Sequence, residues 1–445
     1  MTHAIITVGL GFGDEGKGAT VDFLTRRYRA AVVVRYCGGP QAGHNVQLPD
    51  GRRHTFSQFG AGTLAGARTY LGPRMILNPA TLVPEADHLR SLGVDDPQSM
   101  LSVHPDCLVS TTYHVMMNRL REVARGADKH GSCGLGVGET RQYWLQYGLD
   151  APVAADLHDP QTLLHKLTLL QDRLLLEVQT LPRLDPIWLA TLQNTSPQQE
   201  AELLMDCMQG VGYDWQMPTA DTIIFEGSQG VLLDEYHGFH PFTTWSTVTA
   251  RHAFELIEAS GIDRVTTLGL TRAYTTRHGA GPFPTACPAM TARQTDPGNP
   301  RNDWQDGMRF GPLDLVLLRY AARTTQPDGL VVNHLDELPA ESLLCRRYQD
   351  QAELQPGASG VCLREQQQLT EHLDSVRPEL ETVTRQQLLD ELATIAPLVI
   401  TSEGPTHQDR CFLGAGDQEG ETRGSPGFNG PKSGDFGYGD GAERL

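Results

Sequence analysis

The chain has 445 residues, 39% hydrophobic and 20% charged, the balance of a globular protein with a sizeable core. Its net charge of −18 excludes a general nucleic-acid coat or an anionic membrane surface as partner, yet leaves nucleotide binding open, because that needs only a local positive site. No apolar stretch approaches the roughly 18 residues that span a bilayer. Met1-Thr2-His3 runs straight into an apolar segment, so no signal peptide is expected. The eight cysteines are scattered without a C-x-x-C pair, so reduced thiols in a cytoplasmic enzyme are expected rather than a disulfide frame or a zinc site.

The first predicted strand is Ala4-Ile5-Ile6-Thr7-Val8. A glycine-rich turn follows, Gly11-Phe12-Gly13-Asp14-Glu15-Gly16-Lys17-Gly18, and then a helical pattern from Ala19. Such a turn aims backbone N–H groups and a helix N-terminus at one point, as phosphate-holding loops do. The spacing is G-x-x-x-x-G-K, but Gly18 stands where a P-loop carries Ser or Thr. The magnesium-binding hydroxyl is therefore missing, and Asp14 is a candidate replacement ligand or a catalytic base. Further buried strands are expected at Ala31–Tyr36, Thr222–Phe225, Val265–Leu270, Gly329–Val332 and Pro397–Ile400. Helices are expected at Leu163–Leu181 and Leu313–Ala322. Continuous apolar strands alternating with amphipathic helices predict an α/β fold: a largely parallel central sheet, helices on both faces, long inserted connections and a P-loop-like first turn. Residues 1–412 read as one catalytic domain. Residues 413–445, rich in glycine and acid, read as a flexible tail.

Polar clusters follow the predicted strands, where open α/β sheets bind ligands. They are Cys37–Asn45, Glu226–Asp234, Thr271–Thr285, Asn333–Asp336 and Thr401–Pro405. Asn333-x-x-Asp336 resembles the base-reading element of GTP-binding proteins. A carboxylate there can accept from both N1–H and the 2-amino group of guanine, which adenine does not offer. Ser402 and Gly404 follow the next strand and could cover the base.

Five motifs, in this order, resemble the adenylosuccinate synthetases: Gly-Asp-Glu-Gly-Lys-Gly, Gly-Gly-x-x-Ala-Gly-His, Phe-Glu-Gly-Ser-Gln-Gly-x-Leu-Leu-Asp, Gly-Ala-Gly-Pro-Phe-Pro-Thr and Asn-x-x-Asp. The resemblance runs from about residue 4 to about residue 412. It implies a homodimeric GTP- and Mg²⁺-dependent ligase of small molecules, which phosphorylates the 6-oxygen of IMP and lets the amine of aspartate displace phosphate. It also implies roles. Asp14 would be the base that takes the N1 proton and a magnesium ligand, with the Gly43 carbonyl as a second ligand. His44 would stabilise the transferring phosphoryl group, and Gln229 would orient the heterocycle. Gly13, Glu15, Gly16, Lys17 and Gly18 would hold the GTP phosphates, and Asn333, Asp336, Ser402 and Gly404 its base. Each has a blander alternative: Asp14 as a helix cap, His44 bonded to backbone, Gln229 tying two loops.

The chain departs from the family's pattern where substrates are recognised. Gln41 stands for Asn, and Ser132 and Cys133 stand for two threonines, in the nucleotide phosphate pocket; Thr244 is kept. Gln146 or Tyr147 occupies the place of an arginine lent by the neighbouring subunit, with Arg141 nearby. His278 replaces a valine in the ribose-contacting loop, and His334 replaces a lysine beside the guanine element. Of four arginines that grip aspartate, only Arg309 remains, while Asp303 and Asp306 have appeared. Two further readings stay open. One is a divergent paralogue using another purine-like substrate or amine, and the other a GTP-binding regulatory protein without turnover.

Overall fold

The computed structural model describes residues 2–126, 131–294, 307–349, 351, 353–355 and 363–413. The tail from 414 and the loop residues 295–306, including Asp303 and Asp306, therefore lie outside the described residues. Ten strands make the central sheet: β1 (His3–Gly9), β2 (Val32–Arg35), β3 (Arg68–Leu71), β4 (Leu101–Val103), β5 (Gly212–Tyr213), β6 (Thr222–Glu226), β7 (Arg264–Arg272), β8 (Gly329–Asn333), β9 (Leu398–Ser402) and β10 (Arg410–Phe412). Their order is β10-β9-β8-β7-β1-β6-β2-β3-β4-β5, and only the β9–β10 pair is antiparallel. β1 is flanked by β6 and β7, so the first glycine-rich turn leaves the middle of the sheet.

Burial explains the apolar runs. On β1, Ile5 faces one core, with Val33 and Ile224, while Ala4, Ile6 and Val8 face the other, with Val34 and Phe225. This period-two division needs helices on both faces. Val21 and Leu24 of helix α1 (Lys17–Tyr28) cover one side. Val316 and Leu317 of the helix Leu315–Thr325 cover the other.

Boundaries move by a few residues, each for a local reason. The leucine-rich helix runs Pro160–Val178, because Asp159 caps it and Pro160 opens it. The second predicted helix starts at Leu315 rather than Leu313, because the Asp314 carboxylate accepts from the amides of Val316 and Leu317 at 3.0 and 3.1 Å. Glu226, Asn333 and Ser402 are the last residues of their strands rather than loop residues. The seven cysteines among the described residues are all free. Among those residues no helix is long and apolar enough to cross a membrane.

Candidate active site

The cavity of about 1300 Å³ at the carboxyl ends of these strands gathers most of the predicted site. Gly13, Asp14, Gly16, Lys17, Gly18, Gln41, Gly43, His44, Gln229, His278, Asn333, Asp336, Ser402 and Gly404 all line it. Parallel pairing produces this convergence, since it brings the carboxyl ends of β1, β6, β7, β8 and β9 to one edge.

The first turn is held by its own residues. Gly13, Asp14 and Gly16 have φ of 93°, 63° and 81°, a left-handed path that favours glycine and tolerates Asp. Glu15 turns inward. Its Oε1 accepts from the amides of Gly11 and Gly13 at 3.0 and 2.7 Å, and its Oε2 meets Lys17 Nζ at 2.6 Å. Lys17 and Glu15 are both buried. Glu15 therefore shapes the cradle from behind, and it is absent from the large cavity's wall. Asn333 Nδ2 donates to the Glu15 carbonyl at 2.7 Å, so this asparagine ties the end of β8 to the first glycine-rich turn. Arg272 donates to the Asp14 carbonyl and, at 3.1 Å, to Tyr274 Oη, which bonds Glu337 in turn. His334 joins the same chain through Glu337 Oε1 at 2.9 Å.

Gly18 has a steric reason to depart from the P-loop pattern. A Cβ there would lie 2.8 Å from the Asn45 carbonyl oxygen and 2.9 Å from the His44 carbonyl carbon. The strand His44–Gln47, half of a hairpin with Arg53–Phe56, packs against the start of α1 and leaves no room for a serine.

The blander alternatives for Asp14 and His44 do not describe the structure. The N-cap of α1 is Gly16 with no side-chain capping bond, so Asp14 is not its cap. His44 Nδ1 bonds the Glu226 carboxylate, not backbone. Glu226 Oε2 accepts from the Ala61 amide at 2.9 Å. Burial opposes ionisation of Glu226, but Arg35 and His44 outweigh it and hold the carboxyl below its ordinary range. Burial pushes His44 down to about 4, against the upward pull of Glu226. The result is an anionic Glu226 accepting from Nδ1–H, with the other ring nitrogen directed elsewhere. That Nε2 is buried without a partner, as are Gln229 Oε1, Gln41 Oε1, Asn333 Oδ1 and His278 Nε2. With His54 Nε2 and Arg410 Nε, seven orphaned polar atoms sit on residues lining one cavity and mark a site built to bond a ligand. Glu226, Arg35 and Arg272 were not singled out from the sequence. Glu226 sits inside the Phe-Glu-Gly-Ser-Gln-Gly motif, directly after the expected strand Thr222–Phe225, and that place was the available signal.

Four predicted substrate residues do not line the cavity: Ser132, Cys133, Thr244 and Arg309. Ser132 Oγ donates to Asn118 Oδ1 at 3.2 Å. Burial pushes the Cys133 thiol up to about 11. The Thr244 amide donates to the Leu233 carbonyl at 2.7 Å. Arg309 Nη2 donates to the carbonyls of Gly279 and Gly281 at 2.8 and 2.9 Å. Arg141 lies over the Trp144 ring at 4.6 Å.

The donor set fits magnesium. The ion takes oxygen ligands, and Asp14 and Gly43, which both line the cavity, would offer a carboxylate and a carbonyl.

A phosphate cradle, an acid within it and a carboxylate-backed histidine, on one parallel sheet, define a nucleotide-dependent phosphoryl-transfer enzyme. A family model for adenylosuccinate synthetase matches residues 6–395, and the chain belongs to that family of ligases, which form a carbon–nitrogen bond using GTP and Mg²⁺. It is 32% identical over 357 residues to the adenylosuccinate synthetase of Mycobacterium tuberculosis strain H37Rv, covering 75% of this chain and 77% of that one. With the enzyme of Mycobacterium leprae strain TN it shares 32% over 348 residues, with the same coverage. Fully ligated adenylosuccinate synthetase from Plasmodium falciparum superposes with a TM-score of 0.73 at 18% identity, over 92% of this chain and 99% of that one. Cyanophage S-2L succinoaminodeoxyadenylate synthetase, bound to dGMP and dATP as an energy donor, superposes at 0.57 and 17%, over 93% and 95%.

Proposed function

We propose that this chain transfers the γ-phosphoryl group of GTP to the 6-oxygen of IMP and then joins aspartate at that carbon, releasing phosphate. The products are adenylosuccinate, GDP and phosphate. The observation that carries the reading is that Asp14, Lys17, His44 and Gln229 share one cavity, with His44 Nε2 and Gln229 Oε1 both orphaned.

Asp14 takes the N1 proton of the heterocycle, which makes the 6-oxygen nucleophilic. Lys17 and the amides of Gly16 and Gly18 hold the donor phosphates, while the Gly13 amide is held by Glu15. His44 faces the transferring group through Nε2. An anionic group arriving there raises the imidazole's proton affinity, and Glu226 supports the imidazolium from behind. Gln229 orients the ring, and Asp336, with Ser402 and Gly404, reads guanine. Magnesium held by Asp14 and Gly43 would offset charge on the phosphoryl oxygens. The amine of aspartate then attacks C6, and the phosphate leaves with the oxygen. Residues 1–412 act as one catalytic unit with 413–445 appended. Family membership supports action as a cytoplasmic homodimer.

A second reading, another purine-like acceptor or another amine, is favoured by Arg309. Its guanidinium engages loop carbonyls rather than facing the cavity, and Ser132 and Cys133 stand off the wall as well. The test is incubation of the full chain with GTP, Mg²⁺ and a panel of nucleotides and amines, read by mass spectrometry of the condensed product. Adenylosuccinate from IMP and aspartate supports the first reading, and a different adduct the second. GTP binding without turnover of any pair would leave a regulatory protein.

A further inference from the structure

Two consecutive carbonyls of the first turn, those of Asp14 and Glu15, are both held from the segment Asn333–Glu337. Asn333 Nδ2 takes the Glu15 carbonyl directly, at 2.7 Å. The Asp14 carbonyl is reached through side chains. Arg272 Nε donates to it, Arg272 Nη1 donates to Tyr274 Oη at 3.1 Å, and Tyr274 Oη donates to Glu337 Oε2. Both struts start at one level of the sheet, because Arg272 and Asn333 are partners in the parallel register of β7 and β8. Glu337 stands next to Asp336 in the short turn Leu335–Glu337, and His334 Nδ1 bonds its other oxygen at 2.9 Å. One hydroxyl, that of Tyr274, therefore joins the turn that carries Asp336 to the backbone of Asp14.

Asp14 needs such support. Its φ of 63° is a left-handed conformation that a residue with a Cβ keeps only where its surroundings hold it. A bond to its carbonyl fixes the peptide plane beside its Cα, and with it the direction in which the side chain leaves the turn. Tyr274 is itself well fixed. It is 3% exposed, its ring lies 6.1 Å from that of Phe310 and 6.0 Å from that of His334, and the Arg272 guanidinium lies 5.6 Å from its centroid.

We propose that Tyr274 is a positioning residue that links the donor base to the catalytic carboxylate, so that a donor with the wrong base loses turnover as well as affinity. The proposal rests on the reading of Asp14 as the proton acceptor and Asp336 as the guanine reader. A base that bonds Asp336 fully steadies the turn Leu335–Glu337, and the chain Glu337–Tyr274–Arg272 passes that constraint to Asp14. A base that bonds it less well leaves the carboxylate less well aimed, and misplacement of a reacting group is costly in rate.

The experiment compares GTP with ITP, whose base lacks the 2-amino group, in the wild-type chain, Tyr274→Phe and Glu337→Ala. Tyr274→Phe keeps the ring and removes only the hydroxyl, and Glu337→Ala cuts the same chain at an exposed position. The wild-type kcat should fall about tenfold from GTP to ITP. In either variant the kcat with GTP should drop toward the ITP value, closing the ratio to about twofold or less, while the ratio of KM values stays within about threefold of wild type. A merely structural role would lower kcat for both donors alike, and an unchanged ratio overturns the proposal, as does a wild-type kcat that is equal for the two. Hydrogen exchange of the peptide spanning Gly11–Gly18 reads the same link without turnover. Guanosine, which carries no phosphate, should slow that exchange in the wild type and not in Tyr274→Phe. Equal effects in the two, or none in the wild type, overturn the proposal. Slowed exchange confined to the wild type, in a chain that turns over no acceptor, would sink the proposed reaction and leave the Tyr274 assignment standing.

Discussion

His44 and Glu226 form a buried pair across the sheet edge, the imidazole Nδ1 on one carboxylate oxygen and the Ala61 amide on the other. The pair fixes which ring nitrogen faces the cavity and supplies the negative charge that makes a proton on that ring tolerable. Glu226→Gln keeps the shape and removes the charge. We expect kcat to fall by about 10²-fold, the scale of one proton-transfer group, with the KM for GTP within about threefold. The activity limb set by His44 should move to lower pH. A steady-state pH profile checks both, and an unchanged profile would detach Glu226 from catalysis.

Asp14→Asn should abolish turnover, by roughly 10²-fold or more, while GTP affinity stays within a few-fold. Asp14 lines the cavity, and the backbone of the turn is held by bonds that the substitution leaves intact. Single-turnover kinetics beside nucleotide titration make the comparison. Near-normal activity would remove the base assignment.

Gly18→Ser restores the residue that a P-loop would carry, yet it should damage this enzyme. The new Cβ meets the backbone of His44 and Asn45 below 3.0 Å, so the hairpin that carries His44 must shift. Overpacking of this kind costs about 1–3 kcal/mol. Denaturant unfolding should register that loss together with a fall in kcat. Unchanged stability would mean that the hairpin accommodates the side chain freely.

Asp336→Asn should weaken the preference for GTP over ATP. Asp336 is exposed on the cavity wall, in the short turn Leu335–Glu337 that Asn333 ties to Glu15. The ratio of kcat/KM for the two nucleotides is the measurement. An unchanged ratio would place base reading elsewhere.

Acid should destabilise the fold through His114, whose Nδ1 accepts from the Thr111 amide at 3.2 Å at the start of the helix Thr112–Arg125. Burial, with Arg121 adding to it, pushes this imidazole down to about 3 from 6.5. The unfolded chain takes up the proton first. Stability is therefore complete above pH 6.5 and declines as the pH falls from 6.5 toward 3. His114→Gln should flatten that decline in unfolding curves taken across the window, whatever it does to stability at neutral pH.

Local signals made much of this protein legible. Apolar runs of β-branched residues marked the strands, because a sheet covered on both faces buries every position of a strand such as His3–Gly9. Glycine spacing marked the turn that must run left-handed at Gly13 and Gly16, and strand ends marked where polar clusters would meet. Side-chain pairing across hundreds of residues was not legible. Glu226 finds His44 at a separation of 182 residues, and Asn333 finds the Glu15 carbonyl at 318, and neither distance leaves a periodic trace in sequence. The resemblance gave Arg309 a carboxylate to bind, but which carbonyls it meets depends on register with Arg277.

The chain alone therefore determined the α/β class and the central strands, which follow from residue type and spacing, and the family, through the resemblance its motifs carry. Tertiary structure decided which polar groups face the cavity and which are spent on holding it. Desolvation and pairing act only once the sheet has brought distant strands together.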